Sequence, residues 1–325
     1  MGHEPPEAHP HRAGTRVTSD AADDRYHAKR GAERERLLDI AFRMLGSSSD
    51  AELAVELTLL QWATEFRDGA DVDDDVLRRD QLTEVLARIC FECLRSRTQR
   101  DLYAGDWLPE PLPDIGDENG RTPGRDTPHP ADRLSLDDSL NMLLLVVLES
   151  LSPEERVAFI LHDVFGVPFA GIAEVVGRSV ETTRELTHSA RRQVKQRKKD
   201  QVPEPDHRRI VLRLLEGCEA ADHVAVKAVL DPGITVVVDS GGHVGEAHPP
   251  AHGEDDASRL LLLMFSGAPA MSVAEKSVNG HSGLVFSHSG HVIGVLSANI
   301  VADKIHDIWI VINPEKLRHW NARPI

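Results

Sequence analysis

The chain has 325 residues, of which 41% are hydrophobic, and its formal net charge is −16 at pH 7. The length predicts two or three domains, and the apolar share excludes a chain that is disordered throughout. The negative charge excludes a protein that coats nucleic acid by bulk attraction, so any DNA contact must be a local basic surface. The three cysteines fit a reducing compartment, and no apolar run reaches a membrane-spanning length. We therefore expect a cytoplasmic protein without a membrane segment.

The N-terminal part of the chain predicts a tail followed by a helical module. Residues 1–30 are rich in Pro, His and charge without apolar periodicity, which predicts a disordered tail. Residues 31–102 show helical periodicity, with a Gly-Ser break at 46–50 and an acidic loop at 68–75. A further amphipathic helix is expected at 76–100, so the module should contain three helices.

A proline-rich linker follows. Residues 103–135 contain six prolines among Asp and Gly, which disfavours a helix. Pro109 and Pro111 favour an extended chain that presents Trp107 and Leu108 as anchors for a groove. We expect these anchors to dock onto the third domain, and the alternative is that Trp107 merely covers the nearest helical module.

Residues 136–200 have the pattern of a helix-turn-helix. Ser152 and Glu155 form a predicted capping box with proline at the first helical position. The next helix should begin near Pro168 and end at Gly177, and Ser179 should cap a long basic helix. Two short helices with a tight turn before a basic helix predict a domain whose last helix enters the DNA major groove.

The faces of that last helix follow from its periodicity. Thr183, Leu186, Ala190 and Val194 should pack inward, which leaves a polar and basic face for base edges and phosphates. The alternative is a solvated basic helix end favoured by the helix dipole. We expect the DNA-binding residues to be Arg178, Ser179, Glu181, Thr182, Arg184, Glu185, His188, Arg191, Arg192 and Lys195.

The last part of the chain, residues 206–325, changes from helical to strand periodicity. It opens with a helix expected at 210–230, and the segments that follow alternate as strands do between Gly, Asn, His and Asp. An α+β domain is therefore expected after two all-α modules. The predicted strands are 234–239, 272–278, 283–287, 292–300 and 304–312.

Several motifs resemble those of one protein family. Residues 143–192, with LSPEERVAFILHDVFGVPF and AEVVGRS, resemble region 4 of extracytoplasmic-function (ECF) sigma factors, and AFRMLG at 41–46, followed by Asp-Ala-Glu at 50–52, resembles region 2. WLPEP at 107–111 and NPEKL at 313–317 are similar to signatures of a subgroup with a C-terminal SnoaL-like domain. The resemblance implies a multidomain fold: a region 2 helical bundle, a region 4 helix-turn-helix and a cone-shaped α+β SnoaL-like (NTF2-like) domain.

The resemblance also implies functions and site residues. Region 2 would bind core RNA polymerase and open the −10 element of promoter DNA, region 4 would recognise the −35 element, and the third domain would contact the linker and region 2 and modulate activity. The polymerase-binding residues would be Arg43, Asp50, Glu52 and Glu56. The interdomain regulatory residues would be Trp107, Leu108, Pro109, Glu110, Pro111, Asp239, Gly241, Gly242, His243, Asn313, Pro314, Lys316 and Leu317.

The chain departs from the family pattern at three places. Leu53 stands where the family usually has a second acid and Glu56 where it has glutamine, and residues 71–75 are acidic before the promoter-reading helix. The stretch at 239–243 has histidine where the subgroup has lysine, so a contact made by that lysine would be lost or become pH-sensitive through His243. Region 2 is therefore expected to be weakened or retuned.

No metal, cofactor or catalytic site is expected. Cys90 and Cys93 lie in a predicted helix without a second ligand pair, and the histidines around His243 and around His281, His288 and His291 are interpreted as solvated. SnoaL-like folds include cyclases, so an enzyme is a legitimate rival; its acid or base candidates would be Asp239, His243, His288 and Asp307.

Three functional hypotheses follow. The leading one is a promoter-specific sigma factor that its own C-terminal domain regulates. The second is a degenerate sigma-like regulator that binds DNA or a protein partner without opening promoters. The third is a SnoaL-like domain that senses a small ligand or is catalytic. A small ligand or a protein partner is also possible at the C-terminal domain of a sigma factor.

Overall fold

The computed structural model describes residues 17–65, 75–96, 106–113, 141–198, 201–242, 249–266 and 271–321. Helices make up the first two parts of the chain, and a six-stranded sheet with its own helices makes up the third. This is the predicted fold class, which is confirmed. No helix in these ranges is both long enough and apolar enough to cross a bilayer.

The first module consists of α1 (Val17–Leu45), α2 (Ser48–Glu65) and α3 (Asp75–Arg95). Gly46 has a φ of 68°, which is the left-handed conformation that ends α1. The prediction of a disordered tail up to residue 30 is wrong from Val17 onward. Extending a helix that is already anchored by packing costs less than starting a new one, so α1 continues N-terminally beyond its apolar part. Residues 1–16 lie outside the described ranges.

The second module follows the predicted helix-turn-helix closely. It contains α4 (Met142–Ser150), α5 (Pro153–Phe159), a π-helical turn (Ile160–Val164), α6 (Phe169–Val176) and α7 (Val180–Lys198). The π-helical turn was not predicted; in it the Phe165 amide bonds the Ile160 carbonyl five residues back. α3 of the first module packs against α5 and α6, so the two modules are in contact.

The third part begins with α8 (Glu204–Glu219) and α9 (His223–Val229). The strands of one mixed sheet follow, and α10 (Gly253–Phe265) comes between two of them in the chain. The single helix predicted at 210–230 is therefore wrong. Ala221 has a φ of 51°, and the Asp222 carboxylate accepts from the amides of Val224 and Ala225, which starts a new helix.

The strands are β1 (Leu230–Asp239), β2 (Ala251–His252), β3 (Met271–Val278), β4 (His281–His288), β5 (His291–Val301) and β6 (Lys304–Val311). Their order in the sheet is β2-β1-β6-β5-β4-β3, with β1 and β6 parallel and the other neighbours antiparallel. A 3₁₀ turn (Pro314–Leu317) and α11 (Arg318–Asn321) follow β6. The five predicted strands are present; β2 and α10 were missed.

The sheet contributes to two cores, one on each face. Ile308 and Ile310 of β6 belong to the core under α8 and α10. The alternate residues Trp309 and Val311 belong to the core that includes α1 to α7, as strand geometry requires. The third part of the chain therefore packs its second face against the helical modules, and the helical modules share a continuous apolar core with it.

Candidate polymerase, promoter and linker interfaces

Local hydrogen bonds fix the start of both helices of the helix-turn-helix. The Ser152 hydroxyl accepts from the Glu155 amide at 3.2 Å, and the Glu155 carboxylate accepts from the Ser152 amide at 3.1 Å. α6 ends at Gly177, whose φ is 65°. The Ser179 hydroxyl then accepts from the Thr182 amide at 3.1 Å and caps α7. The predicted caps and the left-handed stop residue are present.

The two faces of α7 agree with the periodicity. Thr183, Ala190 and Val194 are buried, as predicted, and Leu186 is half-buried. Thr187, which the prediction omitted, is also buried and donates its hydroxyl to the Thr183 carbonyl. Thr182 is half-buried, and the other predicted DNA-binding residues are exposed: Arg178, Ser179, Glu181, Arg184, Glu185, His188, Arg191, Arg192 and Lys195.

Some of these cations already have partners within the module. Arg191 binds the Asp163 carboxylate with two hydrogen bonds of 2.7 Å, a geometry that holds its guanidinium against the π-helical turn. The Arg184 guanidinium lies 5.5 Å from the centre of the Phe169 ring. The exposed cationic surface therefore lies mainly on the second half of α7, which carries Arg192 and Lys195.

The exposed face of α2 combines carboxylates with large apolar side chains. Asp50, Glu52 and Glu56 are exposed, as a polymerase-binding role requires. Leu53 and Leu60 are 56% and 66% exposed, and Leu57 lies between them at helical spacing. We call these three leucines the α2 leucine stripe. A groove of about 540 Å³ between α2 and α3 continues it, lined by Leu57, Leu60, Gln61, Thr64, Ile89 and Cys93 among others.

Arg43 does not lie on this surface. Only 7% of it is exposed, and its Nε donates to the Asp39 carboxylate at 3.0 Å, one turn earlier in α1. The expectation that Arg43 contacts a polymerase is not compatible with this position. The sequence signal for the leucine stripe was a run of apolar residues, which was used only to predict a helix.

The linker segment 106–113 lies in an extended conformation, and its centre binds the third domain. The Leu108 amide donates to the Asp239 carboxylate at 2.9 Å, and the Lys316 ammonium donates to the same carboxylate at 2.6 Å and to the Leu108 carbonyl at 2.5 Å. The Lys316 nitrogen also lies 3.9 Å from the centre of the Trp107 ring. We call Trp107, Leu108, Asp239 and Lys316 the linker hub; Asp239 is fully buried.

The next linker residues join the first module. The Glu110 carboxylate is 1% exposed and accepts from the Ser48 amide at 2.7 Å and the Ser48 hydroxyl at 2.8 Å, at the start of α2. Arg318 donates to the Ser49 hydroxyl at 2.5 Å, and the Trp320 indole donates to the Pro111 carbonyl at 2.8 Å. Sequence reasoning missed Ser48, Arg318 and Trp320, whose partners are distant along the chain.

The remaining predicted interdomain residues support the hub. Gly241 has a φ of 65°, and an added Cβ would lie 2.6 Å from the Asn313 side chain. The Asn313 amide donates to the Asp239 carbonyl, and its side chain caps the 3₁₀ turn that carries Lys316. Pro109, Pro111 and Leu317 are buried, whereas Gly242 and Pro314 are exposed. His243 lies outside the described residues.

A buried arginine links the two helical modules. Arg156 of α5 is 1% exposed, and its guanidinium donates to the Met44 carbonyl of α1 at 3.0 Å and to the Glu149 carboxylate of α4 at 2.6 Å. The Glu149 carboxylate also lies 2.9 Å from the position that a Cβ on Gly46 would take. The two modules are therefore held together by specific polar contacts as well as by apolar packing.

The candidates for acid or base catalysis are not brought together. The Asp239 carboxylate is occupied by the linker hub, and the Asp307 carboxylate accepts from the Asn299 amide group at 2.8 Å. His288 ends β4, on the far side of β5 and β6 from Asp239 on β1. The Cys90 thiol is buried, and burial raises its pKa, while Cys93 is exposed. Among the described residues, which do not include His243, neither the acid or base candidates nor the two cysteines form a catalytic arrangement.

Comparisons with known proteins agree with this architecture. The family model described as sigma-70, region 4 matches residues 141–194. The chain is similar to the ECF RNA polymerase sigma factor SigJ of Mycobacterium tuberculosis, with 33% identity over 88% of this chain and 91% of that protein. It is also similar to the probable ECF RNA polymerase sigma factor SigI of the same organism, with 31% identity over 88% and 92%.

A solved structure extends the likeness to three dimensions. The crystal structure of the M. tuberculosis extracytoplasmic function sigma factor SigJ superimposes with a TM-score of 0.67 at 29% identity, over 90% of this chain and 98% of that one. Coverage of this extent reaches into all three parts of the chain. The chain belongs to the ECF RNA polymerase sigma factor family, in the form that has a C-terminal SnoaL-like domain.

Proposed function

We propose that this chain is a sigma factor that binds core RNA polymerase through the exposed face of α2 and promoter DNA through α7. The third domain regulates both by holding the linker. The observation that carries the proposal is the helix-turn-helix, whose last helix has an exposed basic face and a buried apolar face. An exposed helix of this kind can enter the major groove and contact both bases and phosphates.

The α2 leucine stripe supports the polymerase contact. Large apolar side chains that are clustered and exposed on a folded surface commonly mark a protein interface. Here they are flanked by Glu52 and Glu56, which would add specificity and orientation to an apolar contact. Leu53, which replaces the family's usual acid, exchanges one carboxylate for apolar area on the same face. We expect a polymerase contact that is less dependent on charge than in the family.

The third domain restrains the linker between regions 2 and 4 and does not cover the DNA-reading surface. Among the described residues, Arg184, Glu185 and His188 are exposed although the third domain is packed against the helical modules. The linker hub and the Glu110 contact instead hold residues 106–113, which lie between regions 2 and 4 in the chain. Spacing between these regions determines whether two promoter elements can be contacted at once, so a fixed linker restrains activity.

Matched leucine variants test the polymerase contact. Leu60 and Leu263 are 66% and 67% exposed, and they lie on α2 and on α10 of the third domain. We expect Leu60→Asp to weaken binding to core polymerase by at least tenfold, about 1.4 kcal/mol, in a competition assay with labelled sigma factor. Leu263→Asp should leave the affinity unchanged. Equal affinities for the two variants would contradict the proposal.

A further inference from the structure

Three potential metal ligands converge where region 4 ends and the third domain begins. Glu204 and His207 lie three residues apart at the start of α8, and His281 is the first residue of β4. One ligand atom from each side chain lies within 4.8 Å of the other two. The three side chains differ in exposure: His207 is 5% exposed, and the side chains of His281 and Glu204 are 22% and 42% exposed. The group is thus accessible from one side.

The hydrogen bond of His207 determines which of its nitrogens has a lone pair. Its Nε2 lies 3.1 Å from the Ala298 carbonyl oxygen. A carbonyl can only accept, so Nε2 carries the proton and Nδ1 offers the lone pair. That Nδ1 is buried and has no hydrogen-bond partner among the described residues. A histidine that donates one ring nitrogen to a backbone carbonyl and keeps the other unprotonated is arranged as metal-binding histidines usually are.

Neighbouring groups hold the Glu204 carboxylate in position. Burial alone would raise the pKa of Glu204, but hydrogen bonds from His281 and from the Ser282 amide hold it below its ordinary value. The Glu204 carboxylate is therefore ionised; one of its oxygens is 2.7 Å from His281 Nδ1 and the other 2.8 Å from the Ser282 nitrogen.

A small cavity adjoins these side chains. Its volume is about 10 Å³, close to that of one water-sized sphere, and His207 and His281 are part of its lining. Ser297 also lines it, and the Ser297 hydroxyl is buried without a hydrogen-bond partner in the described structure. Asn141, Gln201 and Ser282 complete the polar part of the wall. A fourth ligand, such as a water molecule, has space and polar neighbours here.

We propose that Glu204, His207 and His281 bind one divalent transition-metal ion of the zinc class. Two imidazoles and one carboxylate, with a fourth position open to water, form a ligand set that suits zinc. Tetrahedral ligands about 2.1 Å from zinc lie roughly 3.4 Å from one another. The Glu204 oxygen and His281 Nδ1 are now 2.7 Å apart, so they must move slightly apart to admit the ion. The ion takes the place of the hydrogen bond between His281 Nδ1 and the Glu204 carboxylate.

The ion would join region 4 to the third domain. Asn141 caps α4, the first helix of region 4, by accepting from the Leu144 amide at 2.8 Å. The amide group of Asn141 lies 3.4 Å from both the Gln201 side-chain oxygen and His281 Nε2. Fixing His281 against α8 therefore fixes the start of α4 as well. In the sheet, β5 and β6 lie between β4, which carries His281, and β1, which carries Asp239 of the linker hub.

Metal titration of the full-length chain, freed of metal by a chelator, tests this site. Isothermal titration with Zn²⁺ should show one site, and Co²⁺ should give the absorption of a tetrahedral complex. In His281→Ala and His207→Ala the affinity for Zn²⁺ should fall at least about 10- to 100-fold. Replacing a residue that only hydrogen-bonds to a metal ligand already causes a loss of this size. His281 is partly exposed, so His281→Ala is expected to fold normally, and circular dichroism checks this.

A second histidine–carboxylate pair provides the matched control. His306 lies 3.6 Å from Asp231 and is 38% exposed, but no third ligand completes a cluster with it among the described residues. His306→Ala should retain the zinc affinity and the Co²⁺ spectrum. The proposal is overturned if the wild-type chain binds no Co²⁺ tetrahedrally, if His281→Ala keeps the wild-type affinity, or if His306→Ala loses as much as His281→Ala. Binding by histidines elsewhere, such as His3, His9 and His11, would give the second of these results.

Discussion

Replacing Lys316 with methionine tests the linker hub. The methionine keeps most of the apolar volume but removes the ammonium, which contacts the Asp239 carboxylate, the Leu108 carbonyl and the Trp107 ring. Asp239 is fully buried, so its carboxylate would lose the ammonium that pairs with it while it stayed out of water. Removing one member of a buried ion pair typically costs about 3–5 kcal/mol, and we expect Lys316→Met to lower the free energy of unfolding by that amount.

Urea unfolding followed by circular dichroism measures the loss, and Lys276→Met is the control. Lys276 is exposed on β3, so its replacement should change the free energy of unfolding by less than about 0.5 kcal/mol. The double variant Asp239→Asn, Lys316→Met should lose less than the sum of the single variants, because no buried charge is then left without a partner. If Lys316→Met and Lys276→Met were equally stable, the hub would not hold the linker.

Three further results are expected. Gly241→Ala should lower the free energy of unfolding by about 1–3 kcal/mol more than Gly290→Ala does. Both residues have positive φ, but only a Cβ at Gly241 would meet the Asn313 side chain. Equal losses in the two variants would contradict this. Native protein should be alkylated at Cys93 but not at Cys218, because burial raises the pKa of the Cys218 thiol to about 12. Mass spectrometry measures the labelling, and early alkylation of both cysteines would refute the prediction. Arg192→Ala and Lys195→Ala should each reduce the slope of log K, the association constant for promoter DNA, against log salt concentration by about 1. Arg191→Ala should change the slope less, because Arg191 is paired with Asp163. Unchanged slopes would exclude phosphate contacts.

Local signals predicted the helical modules well. The capping box at Ser152 and the stop at Gly177 act within one or two turns of the chain, so their sequence determines the helix boundaries almost alone. The faces of α7 were predicted for the same reason. Thr187 was missed because a threonine can satisfy its hydroxyl on the preceding turn of its own helix and so be buried.

Contacts between distant segments were harder to predict. The resemblance to the sigma factor subgroup identified the members of the linker hub. No local sequence pattern indicates that Lys316 contacts both Leu108 and Asp239, or that Arg156 joins α1 to α4. The buried position of Arg43 likewise depends on tertiary packing. Glu204 and His207 had a detectable signal, a glutamate and a histidine three residues apart at the start of a helix, but their partner His281 lies on a strand that only the fold brings near.

The two faces of the sheet also changed how the third domain is understood. Strand alternation predicted an α+β domain, and Trp309 and Val311 place the second face of its sheet in the core of the helical modules. An appended domain that shares a core cannot be removed without exposing apolar surface. Variants of the full-length chain are therefore better tests of regulation than truncations.

Transcription in vitro tests the central claim most directly. Core RNA polymerase, the full-length chain and a library of genomic DNA fragments would be combined, and the transcripts sequenced from their 5′ ends. We expect discrete start sites that depend on the chain, that persist with Leu263→Asp and that are lost with Leu60→Asp, whose side chain belongs to the α2 leucine stripe. The absence of any chain-dependent start site, with a chain that is folded and binds DNA, would contradict its function as a sigma factor.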